Sequence, residues 1–398
     1  MPAPPGSRRP YHEAPLPSHG TGLFSSLAKA DMSEHRIPTA ALHQWVADLW
    51  LAAGSGAQEA RLTADHLVGA NLSGHDSHGV GMIPRYVLAW QANELQLNQQ
   101  VSVVHDAGSM LSLDGNRGMG QAVTAQAMDM AIGRAREHGV CVMGLRQSHH
   151  LGRVGHWAEQ ATAAGMISIH FVNVLSKPIV APHGGYDARY GTNPFTIGVP
   201  VAGEPPLVLD FATSAIALGK VRVAHNKGVP VAPGCLLDAH GEPTADPDVM
   251  YPADGAPQGA LRPFGEHKGH VLAVMCELLG AAVTGGHTIR PETLRHEHAV
   301  WNNMLAIVFD PARLGTSTSF GHEVAAFAEW MKASRLQPGQ DGIRLPGEPE
   351  RAWRAARATQ IPVDAGTLAQ LDDAAARVAA ARASAQPAPG PLSALACD

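Results

Sequence analysis

Two short polar segments hold the residues best suited to move a proton. Ser73, His75, Asp76, Ser77 and His78 crowd the junction around Gly74 and Gly79, and Ser148, His149 and His150 end at Gly152. An imidazole exchanges a proton near neutral pH, and a hydroxyl beside it can hold a small polar substrate. Ser77 and His78 therefore read as a candidate catalytic pair, against the plainer reading of surface or capping residues. His150 reads as a second candidate, because its segment follows an apolar strand and α/β folds place ligands at strand ends.

Three further segments are polar where their surroundings are not. Gly191-Thr-Asn-Pro194 interrupts two apolar stretches, Asp210-Phe-Ala-Thr-Ser214 ends a strand and starts a helix, and Glu266-His-Lys-Gly-His270 opens an apolar helix. The last two put backbone N–H groups at helix starts, where an anion is favoured, and Lys268 adds a cation. An Asn-Pro turn, an N-cap by Thr213 or Ser214 and a solvated charge cluster are the structural alternatives. Asp114 to Gly120 follows a strand and opens a helix, yet it gives only G-x-G, with Val123 at the third glycine position and no acidic residue after the next strand. That is not a dinucleotide fingerprint. The pairs His75/His78, His267/His270 and His296/His298 lack HExxH spacing and a completing Cys or carboxylate, so no metal is expected. A metal-dependent hydrolase built on those pairs, and a homologue that only binds a nucleotide or a partner, are the competing classes.

These segments need a scaffold, and the sequence supplies an α/β one. Leu42, Val46, Leu49 and Trp50 recur at helical spacing, as do Ala60 to Leu72 and, after Gly79, Met82 to Trp90. Strands are expected at Met110 to Leu113, Val140 to Leu145, Met166 to Val172, Thr196 to Val199, Leu207 to Leu209 and Met304 to Phe309. Helices are expected at Gln121 to His138, Val154 to Ala164, Gly269 to Ala282, Val324 to Ala333 and Leu368 to Ala381. The division expected is a disordered leader over 1–36, with Met32 a second candidate start, a helical N-terminal domain over 37–108, an α/β cofactor- and substrate-binding region over 109–385 with a helical insertion around 213–300, and a flexible tail over 386–398.

Composition narrows the classes. The 398 residues are 45% hydrophobic and 16% charged, with a formal charge of −6 and no basic stripe, so nucleic acid is not an expected partner. No apolar run approaches the ~18 residues of a membrane span. Cys141, Cys235, Cys276 and Cys397 form no CxxC pair, which argues against a disulfide framework and fits a reducing compartment.

From about Pro38 to Ala381 the chain resembles the malate/L-lactate dehydrogenase family of NAD(P)-dependent 2-hydroxyacid oxidoreductases. The carriers are GHDSHGVGMIPRY (Gly74 to Tyr86), QAVTAQAMDMAI, SHHLG, VAPHGG, GTNP, LDFATS, EHKGH and LPGEPE, in that order. A hydroxycarboxylate dehydrogenase branch also carries GHDSHG followed by GMIP, SHH-x-GR and ATSAIA-x-GK. The resemblance implies a non-Rossmann, mixed-sheet cofactor domain beside the helical one, NAD or NADP as cofactor, a 2-oxo or 2-hydroxy acid as substrate, and a cytoplasmic homodimer. It implies His78 and His150 as catalytic residues, Ser77 beside them on the substrate oxygen, and cofactor contacts at Asp210, Phe211, Ala212, Thr213 and Ser214, at Lys268 and Gly269, and at Pro346, Gly347 and Glu348. Several relatives carry an arginine where this chain has Met82. Arg85 or another cation must then hold the substrate carboxylate, Tyr86 joins the expected substrate contacts, and Met82 suggests an aromatic or apolar 2-oxoacid of the hydroxyphenylpyruvate kind. Malate, lactate, ureidoglycolate or a cyclic imino acid are the alternatives within the family.

Overall fold

The computed structural model describes residues 34–252, 257–294, 296–381 and 383–397. Two layers position the site. In the first, β1 (Glu34–Pro38) leads into α1 (Thr39–Ala53), α2 (Ala57–Leu72) and α3 (Ile83–Gln91). Leu42, Val46, Leu49 and Trp50 of α1 are fully buried, as their spacing predicts, against Leu67, Ile83 and Val87. Gly54 closes α1 at φ +103, a left-handed position that glycine adopts without a Cβ clash.

The second layer is a seven-stranded mixed sheet with β2 (Ser102–Asp106), β3 (Met110–Asp114), β4 (Val140–His149), β5 (Ile167–Leu175), β6 (Phe195–Val201), β7 (Glu204–Phe211) and the late strand β11 (Trp301–Phe309). Its order is β2-β3-β4-β11-β5-β6-β7. Only β3 and β4 run parallel, with α4 (Gly120–His138) crossing between them, and the remaining neighbours are antiparallel. The pleat sends alternate residues of β4 to opposite faces. Cys141, Met143 and Leu145 join α4 and Trp157 of α5 (Gly155–Ala163) in one apolar cluster, while Gly144 faces Thr284 on the other side. That opposite face carries α7 (His267–Glu277) and the wide helical turn Leu278–Ala282, which approaches so closely that a Cβ on Gly280 would lie 2.8 Å from the Asn173 nitrogen.

Between β7 and β11 the expected helical insertion is partly strand. It holds α6 (Leu218–Lys227) and a three-stranded sheet of β8 (Leu236–Leu237), β9 (Pro243–Thr244) and β10 (Ala260–Leu261), ordered β10-β8-β9. These two-residue strands are too short for their alternation to register in sequence. After β11 come α8 (Ser317–Lys332), α9 (Glu348–Ala356), β12 (Gln360–Asp364) and α10 (Ala365–Ala381).

Both ends of the expected division need correction. Of the leader, residues 1–33 lie outside the described residues, but Glu34–Pro38 is β1 and pairs antiparallel with β12, which buries Ile37 against Ile361 and Val363. The tail is not loose over 386–397. Leu392 is fully buried in the helical core, Trp45 Nε1 donates to the Gly390 carbonyl (2.8 Å), and Cys397 N donates to the Arg36 carbonyl (2.8 Å). The helical layer is thus assembled from both termini, with α10 packed on α1 and α3. The strand β2 falls before residue 108 but belongs to the large sheet. Local pattern carries no record of such long-range pairing.

Candidate active site

The turn bearing His78 is held from three sides. Gly74 has φ +79, and a Cβ there would meet the Trp353 ring of α9 at 2.6 Å. Asp76 accepts from Asn71 Nδ2 (2.7 Å) and pairs with Arg357 (2.8 Å), His75 meets Glu350 (3.2 Å), and Asn71 Oδ1 accepts from Val80 N (2.8 Å). Clamped this way, the single helical turn Asp76–His78 leaves Ser77 and His78 to make contacts with each other and with the second layer. Ser77 Oγ and His78 Nδ1 are 3.0 Å apart. In the tautomer a base requires, Nδ1–H donates to Ser77 and leaves the Nε2 lone pair free. Ser77 is also packed from α6, where a Cβ on Gly219 would lie 2.4 Å from the serine Cβ.

The structure brings His150 to His78. Their rings stack with centroids 5.7 Å apart and planes 17° apart. The strand β4 runs on to His149, beyond the Leu145 expected from the apolar run, so His150 follows its last residue directly. Close packing fixes this stretch: a Cβ on Gly120, at the start of α4, would lie 2.0 Å from the His150 carbonyl oxygen. Burial first, and then the neighbouring His75, push His78 down to about 4 against an opposing pull from Asp210, with a lesser push from Arg153. Burial, followed by the neighbouring His78 and His149, lowers His150 well below the ordinary imidazole range. Both rings are therefore neutral at pH 7.

The expected cofactor segments converge on the end of β7, although their side chains are differently employed. Asp210 accepts from Gly155 N (2.9 Å) and Thr196 Oγ1 (2.9 Å). Thr213 Oγ1 donates to the Thr192 and Asn193 carbonyls (both 3.0 Å), and Ser214 Oγ donates to the Ile216 carbonyl (2.8 Å), so these hydroxyls shape the loop. Phe211 sits between Phe195 and Phe264. Ala212 connects that strand end to Thr213, whose carbonyl accepts from Phe264 N (3.0 Å) and draws the Glu266–His270 segment alongside. Lys268 is exposed at the start of α7, and Gly269 is buried there, with the Phe264 carbonyl 2.2 Å from where a Cβ would stand. The Pro346 carbonyl accepts from Val208 N (3.4 Å), Gly347 turns at φ +86, and Glu348 pairs with Lys332. A notch of about 170 Å³ opens there among Gly347, Arg351, Arg354 and Val208.

Two expected substrate contacts are relocated. Arg85 spends its guanidinium on the His298 (2.7 Å) and Ala299 (3.4 Å) carbonyls, and fully buried Tyr86 meets His150 instead of solvent. Met82 leans on the helical core. Among other arginines, Arg146 pairs with Asp114 and Arg189 with Asp187, whereas Arg222 has no hydrogen bond or ion pair among the described residues. Arg222 lines a cleft of about 130 Å³ with Ser77, Gly81 and Gly219.

Sequence reasoning missed Arg153 and Gln121. Arg153 is buried, pairs with Glu159 through Nη2 (2.5 Å), and leaves Nη1 without a partner beside Asp210. An unpaired buried guanidinium nitrogen is costly unless a ligand answers it. The arginine of SHH-x-GR was the available signal. Gln121 is the second residue of α4 and had nothing to distinguish it from other helix-start residues. Among the described residues no group of three or more His, Cys, Asp or Glu is arranged to hold a metal ion, and no helix is long and apolar enough to cross a membrane.

This mixed, mostly antiparallel sheet, with paired imidazoles at a strand end and an unsatisfied arginine nearby, is not a dinucleotide-binding domain of the doubly wound type. The malate/L-lactate dehydrogenase family profile matches residues 37–372, and the chain belongs to that family. It is 48% identical to hydroxycarboxylate dehydrogenase B of Escherichia coli K12 over 87% of this chain and 95% of that protein. It is 39% identical to an L-lactate dehydrogenase of Cupriavidus necator over 85% of this chain and 96% of that protein. Among solved structures, a malate/lactate dehydrogenase from E. coli superposes with a TM-score of 0.83 at 47% identity, covering 86% of this chain and 95% of that one. Malate dehydrogenase from Pyrococcus horikoshii superposes at 0.78 with 27% identity, covering 88% and 97%. The protein is accordingly a 2-hydroxyacid dehydrogenase that works with a nicotinamide cofactor.

Proposed function

We propose that the chain transfers a hydride reversibly between nicotinamide, of NAD or NADP, and C2 of a 2-oxo or 2-hydroxy carboxylic acid, with His78 carrying the proton of the C2 oxygen. The observation that carries this reading is the Ser77–His78–His150 arrangement, in which a neutral imidazole with a free Nε2 stands beside a second imidazole at the end of β4. The bound cofactor supplies or accepts the hydride. The chain's own residues do the rest. In the oxidation direction His78 Nε2 takes the hydroxyl proton as C2 gives up its hydride, and in reduction the same atom returns it.

The cofactor fits the donors present. Arg153 Nη1 is a buried donor awaiting an acceptor, and the Asp210 to Ser214, Lys268–Gly269 and Pro346 to Glu348 segments lie along and just beyond β7. Arg222 takes the carboxylate-holding role expected of Arg85, because it is an unpaired cation in a cleft shared with Ser77. With Met82 turned into the helical core, the aromatic preference it suggested has no support from its side chain, so aromatic acids enter the test beside oxaloacetate and pyruvate.

Two exposed apolar faces support a homodimer. On α7 and just beyond it, Val271, Met275, Leu278 and Val283 are 44–64% exposed, and on α8 Phe327 and Trp330 are 64% and 76% exposed. Patches of this kind on one chain mark an interaction surface. The four cysteines are free, as a cytoplasmic enzyme allows.

The test is loss of reduced-nicotinamide absorbance with NADH or NADPH and a panel of pyruvate, oxaloacetate, phenylpyruvate and hydroxyphenylpyruvate. At least one acid is reduced as NADH or NADPH is oxidised, and His78→Ala lowers kcat by about 10² to 10⁴-fold while NADH still binds. Near-full turnover of His78→Ala removes the proton carrier, and no turnover with any acid removes the substrate class.

A further inference from the structure

The inference drawn here rests on the site reading above and deepens it by separating the roles of the two histidines. Gln121, Tyr86 and His150 form a buried chain behind the site. Tyr86 OH lies 2.5 Å from His150 Nδ1, and Gln121 Nε2 lies 3.2 Å from both the Tyr86 hydroxyl and the His150 carbonyl oxygen. Tyr86 is fully buried, and Gln121 and His150 are 1% and 9% exposed.

The direction of each bond follows from what each group can do. A carbonyl oxygen only accepts, so the Gln121 group facing His150 O is its NH₂ and not its oxygen. One amide hydrogen goes to that carbonyl and the other to the Tyr86 oxygen. With its oxygen accepting from Gln121, the Tyr86 O–H points its own hydrogen at His150 Nδ1. Burial raises the tyrosine's hold on its proton and weakens the imidazole's affinity for a second one, so the hydroxyl stays protonated and Nδ1 stays an acceptor.

We infer that the Gln121–Tyr86 pair locks His150 in the neutral tautomer with hydrogen on Nε2, which makes His150 a fixed hydrogen-bond donor to the site and leaves His78 as the group that gains and loses the proton. His150 Nε2 meets no protein partner among the described residues, so its hydrogen is available to an oxygen of substrate or cofactor. The two stacked rings thus complement one another, with a donor N–H on His150 and a lone pair on His78. Tyr86 and Gln121 act through His150, to which their hydrogen bonds run, and are positioning residues. The T-shaped contact between His149 and Tyr86, centroids 4.8 Å apart, helps fix the phenol ring from its other side.

The experiment is nitrogen-detected histidine spectroscopy on the full chain labelled with ¹⁵N-histidine, with and without NADH. The His150 signals are assigned by their loss in His150→Gln. The wild-type His150 is expected neutral and Nε2-protonated from pH 6 to 8, whereas a protonated Nδ1 or a cationic ring overturns the proposal without any further variant. Tyr86→Phe removes only the hydroxyl. Both tautomers are then expected for His150, with kcat falling roughly 10- to 100-fold, since an imidazole in the wrong tautomer loses its catalytic contact. NADH KM should stay within about 2-fold and the far-ultraviolet dichroism unchanged, which separates positioning from general loss of structure. Unchanged tautomer and kcat in Tyr86→Phe refute the role. Should wild-type protein oxidise NADH with no 2-oxoacid, the functional reading fails while the tautomer result still stands or falls independently.

Discussion

The depressed proton affinity of His78 has a direct kinetic consequence. The perturbation is pH, applied to oxidation of a 2-hydroxy acid, where His78 must be neutral to accept the hydroxyl proton. An imidazole with the ordinary value near 6.5 is only about 3% neutral at pH 5, while one held at about 4 is still about 90% neutral. The kcat/KM of oxidation, which reports the free enzyme, is therefore expected to change little between pH 8 and pH 5.5 and to retain most of its plateau at pH 5. An unperturbed base would lose about 30-fold over the same interval. Reduction needs the imidazolium, so its kcat/KM should rise as pH falls across this range. The assay is nicotinamide absorbance in both directions at constant ionic strength, each sample returned to pH 7 to check that activity is recovered. An apparent value near 6.5 in the oxidation profile would refute the argument that burial and the neighbouring His75 and Arg153 charges set the affinity of the base.

Other consequences are more local. His170 is fully buried on β5, with Nε2 2.9 Å from Ser168 Oγ and Nδ1 without a partner, and burial lowers it to about 4. A folded value below the unfolded one gives stability that is present above pH 6.5 and lost as pH falls toward 4, by roughly 2 kcal/mol at pH 5. His170→Leu should accordingly show a smaller drop in Tm between pH 7 and pH 5 than the wild type, and equal drops would contradict the linkage. For the homodimer proposed above, Trp330→Asp on α8 should halve the mass seen by light scattering while leaving the dichroism spectrum intact, and an unchanged mass would show that this face is not an interface.

The legibility of this protein divides along a physical line. Helical spacing in α1 and α2 and the apolar runs of β4 and β11 lie in a few consecutive residues, so the sequence by itself determined the α/β class and most of the large elements. It also determined the Ser77–His78 and His149–His150 segments, because glycine-bordered polar clusters stand out against apolar surroundings. What those side chains do was less legible. Arg85 and Tyr86 lie next to the SHG segment in sequence, yet a helix sends successive residues in different directions, and α3 turns one toward the His298 carbonyl and the other under His150. The tertiary structure alone decided that β1 and β12 pair across more than three hundred residues, that the C-terminal segment closes the helical core, and that Arg153 is buried in an ion pair with Glu159. It also decided the identity of the group behind His150. Gln121 and Tyr86 are 35 residues apart, and only the packing of α4 against the end of β4 brings the amide, the phenol and the imidazole into one line of hydrogen bonds. Periodicity encodes which face of an element is buried, whereas the partner met across the interior depends on how whole elements are stacked.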